Sequence, residues 1–289
     1  MAGILRPAPL TRVPAPLLLV GSVISVQIGG ALAKHVIDDV GPAGGATLRL
    51  VFAGLLLGAV YRPRIVRKEL ALVAAYGVTL GAMNLLFYEA LARTPLGVVV
   101  TVEFLGPLAV AVAGSRRPRD GAVVVLAGAG IVLLARGGGA VTAWGLILSA
   151  LAGACWGAYI LISAAVGRRH EGAAPLAAAM MIAMLVVLPF GARFAIHADA
   201  RSLWLGALVA LLSSVVPYSL ELLALRRLPA RVFGVLMSGE PAVAALAGLV
   251  ILGETLGGRQ WIGVGCVIVA CAAVTATSSG AARKPEPVP

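Results

Sequence analysis

Ten apolar runs of about 20 residues each follow one another along nearly the whole chain, separated by short clusters of charge, proline and glycine. A run of roughly 20 apolar residues crosses a bilayer as an α-helix. The other structure that can span a membrane is a closed β-barrel, whose strands alternate apolar and polar residues. No such alternation is visible, and only 12% of the residues are charged, against roughly 25% in soluble domains. The sequence therefore predicts an all-α membrane protein.

Proline, glycine and charge clusters set the limits of ten predicted transmembrane helices: 14–36, 43–61, 70–92, 96–114, 120–137, 143–166, 174–193, 203–225, 230–252 and 260–278. Sixteen Lys and Arg residues fall on the side of the N-terminus, six at the opposite ends, and Arg49 within a span. Because cytoplasmic loops carry the excess of cations, a multi-pass protein of the inner cell membrane is predicted, with the N-terminus 1–13 and the polar, disordered tail 279–289 in the cytoplasm. Cations spread in this way do not indicate nucleic-acid binding.

An internal repeat is visible at an offset of 134 residues. "ALARTP" (90–95) recurs as "ALRRLP" (224–229), and "GPLAVAVAG" (106–114) recurs as "EPAVAALAG" (240–248). Each copy, 14–137 and 143–278, holds five predicted spans, so the second must be inverted in the membrane relative to the first. Inverted repeats are the architecture of secondary transporters, whose substrate site lies near the midplane between the halves.

Motifs of catalysis and of nucleotide binding are not found in the sequence, and neither is metal-ligand spacing. No enzyme activity, cofactor or metal is predicted, and any transport would be driven by a gradient. Glycines four residues apart indicate close helix packing at three places: Gly54/Gly58, Gly77/Gly81 and Gly153/Gly157.

Two glutamates are predicted near mid-depth beside prolines. Glu103 lies one turn before Pro107, and Glu240 directly precedes Pro241, which is the repeat mate of Pro107. Proline removes a backbone donor and kinks a helix, and a membrane tolerates the freed carbonyls only beside protein or a wet cavity. A carboxylate needs the same surroundings. The pattern predicts a site for an ammonium group or a proton, or else a glutamate that only fixes helix orientation.

Further polar residues lie within the predicted spans or at their ends, and the sequence allows more than one role for some of them. Glu221 follows the kink residue Pro217 and Tyr218, so acid and phenol lie within about one turn. Arg49 either holds a substrate carboxylate or pairs with an intramembrane glutamate. Glu89 has the spacing of a helical ion pair with Arg93. Lys34, at the end of the first span, is expected to reach the membrane interface.

The motifs "GGALAKH" (29–35), "LGAMNLLFYEAL" (80–91), "VEFLGPLAVAVAGSRRP" (102–118) and the segment 215–260 carry a family resemblance. The chain resembles the EamA-type transporters of the drug/metabolite transporter superfamily, and within them the threonine and homoserine exporters of bacterial inner membranes. The resemblance implies ten helices in two inverted repeats and export of small amino acids linked to a proton gradient. It also implies substrate- or proton-binding candidates: Arg49, Asn84, Tyr88, Glu103, Tyr159, Tyr218, Glu221 and Glu240.

The expected partners are thus an amino acid, protons and membrane lipid, with the oligomeric state left open. A broader metabolite or drug exporter would use the same scaffold with a different cavity lining. A passive channel and a non-transporting membrane scaffold are the alternatives from other classes, and an intramembrane enzyme is the weakest for lack of a catalytic set.

Overall fold

The computed structural model describes residues 13–63, 69–114, 120–136, 140–169, 173–225 and 227–278, so His170, most of the N-terminal segment and the tail lie outside the described residues. No strand occurs in these ranges. Their helices are α1 (Ala15–Tyr61), α2 (Leu70–Leu91), α3 (Leu96–Glu103), α4 (Leu105–Ala113), α5 (Asp120–Ala135), α6 (Ala143–Gly167), α7 (Ala174–Ala195), α8 (Ala200–Ala210), α9 (Val216–Leu225), α10 (Ala230–Met237), α11 (Glu240–Leu252) and α12 (Gly258–Ser278). A π-helical turn, Leu211–Val215, joins α8 to α9.

Helix α1 contains a break at Gly41, whose φ of 74° and ψ of 166° are not helical. Glycine adopts positive φ at little cost, and Pro42 follows with a fixed φ that suits a helix start. The chain therefore ends one helix and begins another at this point without a loop. The sequence predicts two spans here separated by residues 37–42, but the first helical segment continues to residue 40.

The spans that contain the predicted kinks are interrupted. Helix α3 ends at Glu103 and α4 begins at Leu105, two residues before Pro107. Helix α10 ends at Met237 and α11 begins at Glu240, next to Pro241. Helices α3 and α10 are both eight residues long, both follow a proline at the N-cap, and their bounds differ by 134 at each end.

Eight helical stretches of the described chain are long and apolar enough to cross a membrane, and the apolar 121–135 is a shorter ninth. Their outward faces carry large apolar side chains such as Leu55, Trp204 and Val250. Polar side chains are buried inside instead, among them Gln27, Asn84, Glu103, Ser213 and Glu240. This distribution is typical of a bundle whose surroundings are lipid. The chain is a multi-pass membrane protein.

Helices approach closely where glycine removes the side chain. Helix α4 crosses α6 so tightly that a Cβ on Gly106 would lie 1.7 Å from the carbonyl oxygen of Gly153. A Cβ on Gly157 would also contact Gly106, and Gly54, Gly58, Gly77 and Gly81 all pack against α7. The packing predicted from the three glycine pairs is confirmed. The contact at Gly106 and Gly153 fixes the junction of α3 and α4, which carries Glu103.

One end of the bundle is held by Glu254, in the turn after α11. Gly253, with a φ of 66°, ends α11 and directs the chain toward α3. The Glu254 carboxylate forms an ion pair with Lys34 of α1 and accepts the backbone N–H of Leu96 at 2.8 Å. The structure pairs Lys34, for which the sequence predicts a place at the membrane interface, with Glu254. The two halves of the chain are joined at this end by a carboxylate with two partners.

Glu254→Gln is expected to lower the midpoint of thermal unfolding in detergent more than Glu89→Gln. Glu254 is 13% exposed and holds two other elements, so its loss should cost about 1–3 kcal/mol. Glu89 binds Arg93, two residues past the end of its own helix, at 2.6 Å, which confirms the predicted pair. Such an i,i+4 pair contributes about 0.3–0.5 kcal/mol. Equal midpoints for the two variants would contradict the joining role of Glu254.

Candidate functional site

A cavity of about 180 Å³ lies at the centre of the bundle, between both halves of the chain. It is smaller than the roughly 300–1,000 Å³ of sites for drug-sized ligands, so its size suits a small solute. Its walls combine charged, polar, aromatic and thioether side chains: Val26, Gln27, Gly30, Arg49, Met83, Asn84, Phe87, Val100, Glu103, Trp156, Tyr159, Ser213, Pro217, Tyr218, Glu221, Met237 and Glu240.

Seven of the eight candidate residues line this cavity; the eighth, Tyr88, does not. Tyr88 is fully buried on α2, where its ring packs against Gly45 of α1. The Arg49 guanidinium carbon lies 6.0 Å from the centre of that ring, within the range of a cation–π contact. Tyr88 thus stands behind Arg49 and supports it. Of the three kink prolines only Pro217 lines the central cavity, and Pro107 lines a neighbouring one.

Arg49 is the cation of the cavity. Its Nη2 donates to the backbone carbonyl of Ser213 at 3.2 Å. That carbonyl lacks its ordinary helical donor, because the residue four positions on is Pro217. Within the described part of the chain Arg49 has no carboxylate partner, and its Nε is buried without a hydrogen bond. The Ser213 carbonyl, which Pro217 leaves without a donor, therefore holds the Arg49 guanidinium. The Nε of Arg49 remains an unused donor.

Glu240 is an acid of the site that a distant helix positions. Its Oε1 accepts a hydrogen bond from Gln27 Nε2 at 2.8 Å, across 213 positions of sequence. Its Oε2 is buried and has no hydrogen-bond donor among the described residues. A buried carboxylate oxygen without a donor is costly, so the arrangement favours a bound cation or a proton.

Two further acids face the same space. Glu103 is 8% exposed, at the break between α3 and α4, and accepts no hydrogen bond from the described residues. Glu221 Oε1 accepts a hydrogen bond from Ser22 Oγ at 2.6 Å. Ser22 and Gln27 both belong to α1, so this helix positions an acid of α9 and an acid of α11. Among the described residues, three carboxyl groups and one guanidinium line the cavity.

A second cavity, of about 270 Å³, shares Tyr159, Tyr218 and Glu221 with the first. It continues along α6 and α7 to residues 167 and 173, at the connection between them. Tyr159 stacks on Tyr76 with 5.2 Å between ring centres, and Tyr76 donates to Ser163 at 3.2 Å. The side chains that the two cavities share, Tyr159, Tyr218 and Glu221, thus lie between the central cavity and one end of the bundle.

Several lining residues are not on the list of candidates made from the sequence. Gln27 stands out as a polar residue within a span, but its partner Glu240 is distant in sequence. Ser213 carries no charge and lies in a π-helical turn that no local pattern marks. Met83, Phe87, Trp156 and Met237 resemble ordinary apolar residues of a membrane helix. Only the three-dimensional packing identifies them.

A bundle of membrane-spanning helices that encloses a solute-sized cavity with charges of both signs defines a membrane transport protein. The sequence profile of the EamA-like transporter family matches the chain twice, at residues 13–135 and 143–276. The chain belongs to this family.

Relatives are similar over almost the whole length. The threonine/homoserine exporter RhtA of Escherichia coli (strain K12) is 43% identical over 289 residues, covering 96% of each chain. The threonine/homoserine exporter RhtA of Salmonella typhimurium (strain LT2) is 43% identical over 271 residues, covering 90% of this chain and 91% of the relative. A solved crystal structure that is 22% identical covers 91% of this chain and 98% of its own, with a TM-score of 0.62, and shares the fold.

Proposed function

We propose that this protein is a secondary active transporter that exports small amino acids of the threonine and homoserine type across the inner membrane. The observation that carries the proposal is one cavity in which both Arg49 Nε and Glu240 Oε2 are buried without a hydrogen-bond partner among the described residues. A zwitterionic amino acid brings a carboxylate and an ammonium group to the same place. The names of the relatives from Escherichia coli and Salmonella typhimurium support these two amino acids.

In the proposed binding mode the substrate carboxylate binds Arg49, and the ammonium group binds Glu240 or Glu103. Arginine offers a planar fork of donors that matches a carboxylate. Carboxylates inside a protein attract an ammonium group more strongly than they do in bulk water, because the effective dielectric constant is lower. The size of the cavity, about 180 Å³, favours a small amino acid over a large one.

The proposed architecture is ten helices in two inverted five-helix repeats, 14–137 and 143–278. Counting α1 as two helices across Gly41 and including the short α5 supports ten. The two successive family matches and the equal offset of α3 and α10 support the repeat. The distribution of Lys and Arg supports both termini in the cytoplasm.

We propose alternating access by rocking of the two repeats around the cavity. In this orientation the second cavity, past Tyr159 and Tyr218, leads toward the cytoplasm. The ion pair of Lys34 with Glu254 lies toward the outside, where it must separate for release. A protonatable glutamate of the cavity would bind an incoming proton as the amino acid leaves, so that the proton gradient drives export.

The test is efflux of labelled threonine and homoserine from preloaded cells that express the chain, with and without an uncoupler, against an empty-vector control. Saturable efflux of both amino acids that the uncoupler suppresses is expected. Efflux that is neither saturable nor sensitive to the uncoupler would indicate a channel. Competition by many unrelated solutes would indicate a broader exporter. No efflux above the control, with the protein shown to be in the membrane, would overturn the proposed substrate.

A further inference from the structure

Ser213 occupies an unusual place in the cavity wall. It is 5% exposed and lies in the π-helical turn Leu211–Val215. Isolated π-helical turns inside longer helices are rare and frequently occur at functional sites. The Ser213 carbonyl accepts the hydrogen bond of Arg49 at 3.2 Å, and the neighbouring Leu212 carbonyl accepts Ser25 Oγ at 2.7 Å. The backbone of the turn is therefore held from two points on α1, next to the guanidinium that we assign to the substrate carboxylate.

The Ser213 hydroxyl has no hydrogen-bond partner among the described residues, although it is buried. Hydroxyl groups in helices ordinarily donate to the carbonyl one turn earlier. In the described part of the chain five other serine and threonine side chains do so: Thr101, Ser149, Ser219, Ser238 and Thr275. Ser213 lines the cavity, and its hydroxyl keeps both its donor and its acceptor capacity unused beside Gly29, which is unfavourable unless a ligand supplies the partner.

The position of this hydroxyl depends on a glycine of the opposite helix. A Cβ on Gly29 of α1 would lie 2.2 Å from Ser213 Oγ, and 3.2 Å from both Leu212 Cβ and the Ser213 backbone nitrogen. Any side chain at residue 29 would displace the hydroxyl or the turn. Gly29 thus leaves room for Oγ at the point where α1 and the π-helical turn meet.

We propose that Ser213 is a specificity-determining residue, whose hydroxyl binds the side-chain hydroxyl of the transported amino acid. The proposal rests on the proposed function, and it explains how a site that binds any zwitterion would select hydroxylated amino acids. Threonine and homoserine, after which the relatives are named, both carry such a hydroxyl. A serine hydroxyl rotates freely and can donate or accept. One serine can therefore bind the hydroxyl on Cβ of threonine or the hydroxyl on Cγ of homoserine.

The expected selectivity follows from the cost of an unpaired buried group. Valine has nearly the shape of threonine but carries a methyl group in place of the hydroxyl. A site that hydrogen-bonds a substrate hydroxyl rejects such an analogue, because its own polar group is then left without a partner. We expect the intact protein to prefer threonine to valine by about tenfold to a hundredfold, from one hydrogen bond.

Ser213→Ala tests the proposal, with Ser214→Ala as the matched control. Ser214 is the next residue, is also buried, and its hydroxyl likewise has no partner among the described residues, but it does not line the cavity. Uptake of labelled threonine into proteoliposomes is measured with unlabelled threonine or valine as competitor. In Ser213→Ala the threonine-to-valine preference should fall about tenfold, mainly through weaker threonine binding, and in Ser214→Ala it should stay at the value of the intact protein.

Gly29→Ala is a second test of the Ser213 hydroxyl, made by a substitution in α1. If Ser213→Ala does not fold, Gly29→Ala should show the same loss of preference, because its Cβ displaces Oγ. An unchanged preference in a folded Ser213→Ala protein that still transports threonine would overturn this inference alone. Absence of threonine transport by the intact protein would overturn the proposed function, and this inference with it.

Discussion

Arg49→Met is expected to abolish threonine export, and Arg49→Lys to reduce it about tenfold to a hundredfold. A hydrogen bond to a charged group contributes about 1.5–3 kcal/mol, and each 1.4 kcal/mol is a factor of ten in affinity. Lysine keeps the charge but loses the planar fork and most of its donors. The reduction should therefore appear as a raised KM for threonine in Arg49→Lys. Concentration-dependent uptake into proteoliposomes measures it.

The control for Arg49 is Arg93→Met. Arg93 lies in the turn after α2, is paired with Glu89 at 2.6 Å, and does not line the central cavity. Its removal should leave threonine transport near the value of the intact protein. Because Arg49 also binds the Ser213 carbonyl, the thermal midpoint of each variant in detergent is compared as well. A folded Arg49→Met protein with unchanged KM would contradict the assignment.

Glu240→Gln is expected to abolish export while preserving the fold. Glutamine has the shape of glutamate, and its side-chain carbonyl can still accept the hydrogen bond of Gln27, 2.8 Å long in the unaltered protein. What it removes is the negative charge at Oε2, which has no donor among the described residues. Loss of transport without loss of thermal stability would separate the charge from its structural role.

Glu103→Gln and Glu89→Gln complete this comparison. Glu103 lines the same cavity, so Glu103→Gln is expected to lower export strongly. Glu89 is bound to Arg93 outside the cavity, so its neutralisation should leave export largely intact. If Glu240→Gln and Glu103→Gln both export threonine normally, these two glutamates bind neither the ammonium group nor the proton, and they only orient helices.

Sequence patterns predict those features of the structure that depend on residues close together in the sequence. An acid beside a proline within an apolar run needs a wet or protein-lined interior, and this reasoning led to Glu103 and Glu240, both of which line the cavity. Glycines four residues apart predicted close contacts because the helical period brings them to one face. The Glu89 and Arg93 pair follows from the same period.

Sequence patterns failed where the partners are far apart along the chain. Lys34 could be placed at the end of a helix, but its pairing with Glu254 joins residues 220 positions apart. Gln27 and Ser213 depend on how α1 packs against α11 and on a π-helical turn. Tyr88 is a binding candidate through the family resemblance, and packing places it behind Arg49.

Binding of labelled threonine to the purified protein in detergent tests most directly whether the cavity recognises both charges of an amino acid. Unlabelled threonine, threoninamide and N-acetylthreonine are compared as competitors, since the amide lacks the carboxylate for Arg49 and the acetyl derivative lacks the ammonium group for Glu240. Saturable binding, displaced by threonine and by neither derivative, is predicted. Absence of threonine binding, or equal displacement by all three compounds, would contradict recognition of a zwitterion in this cavity.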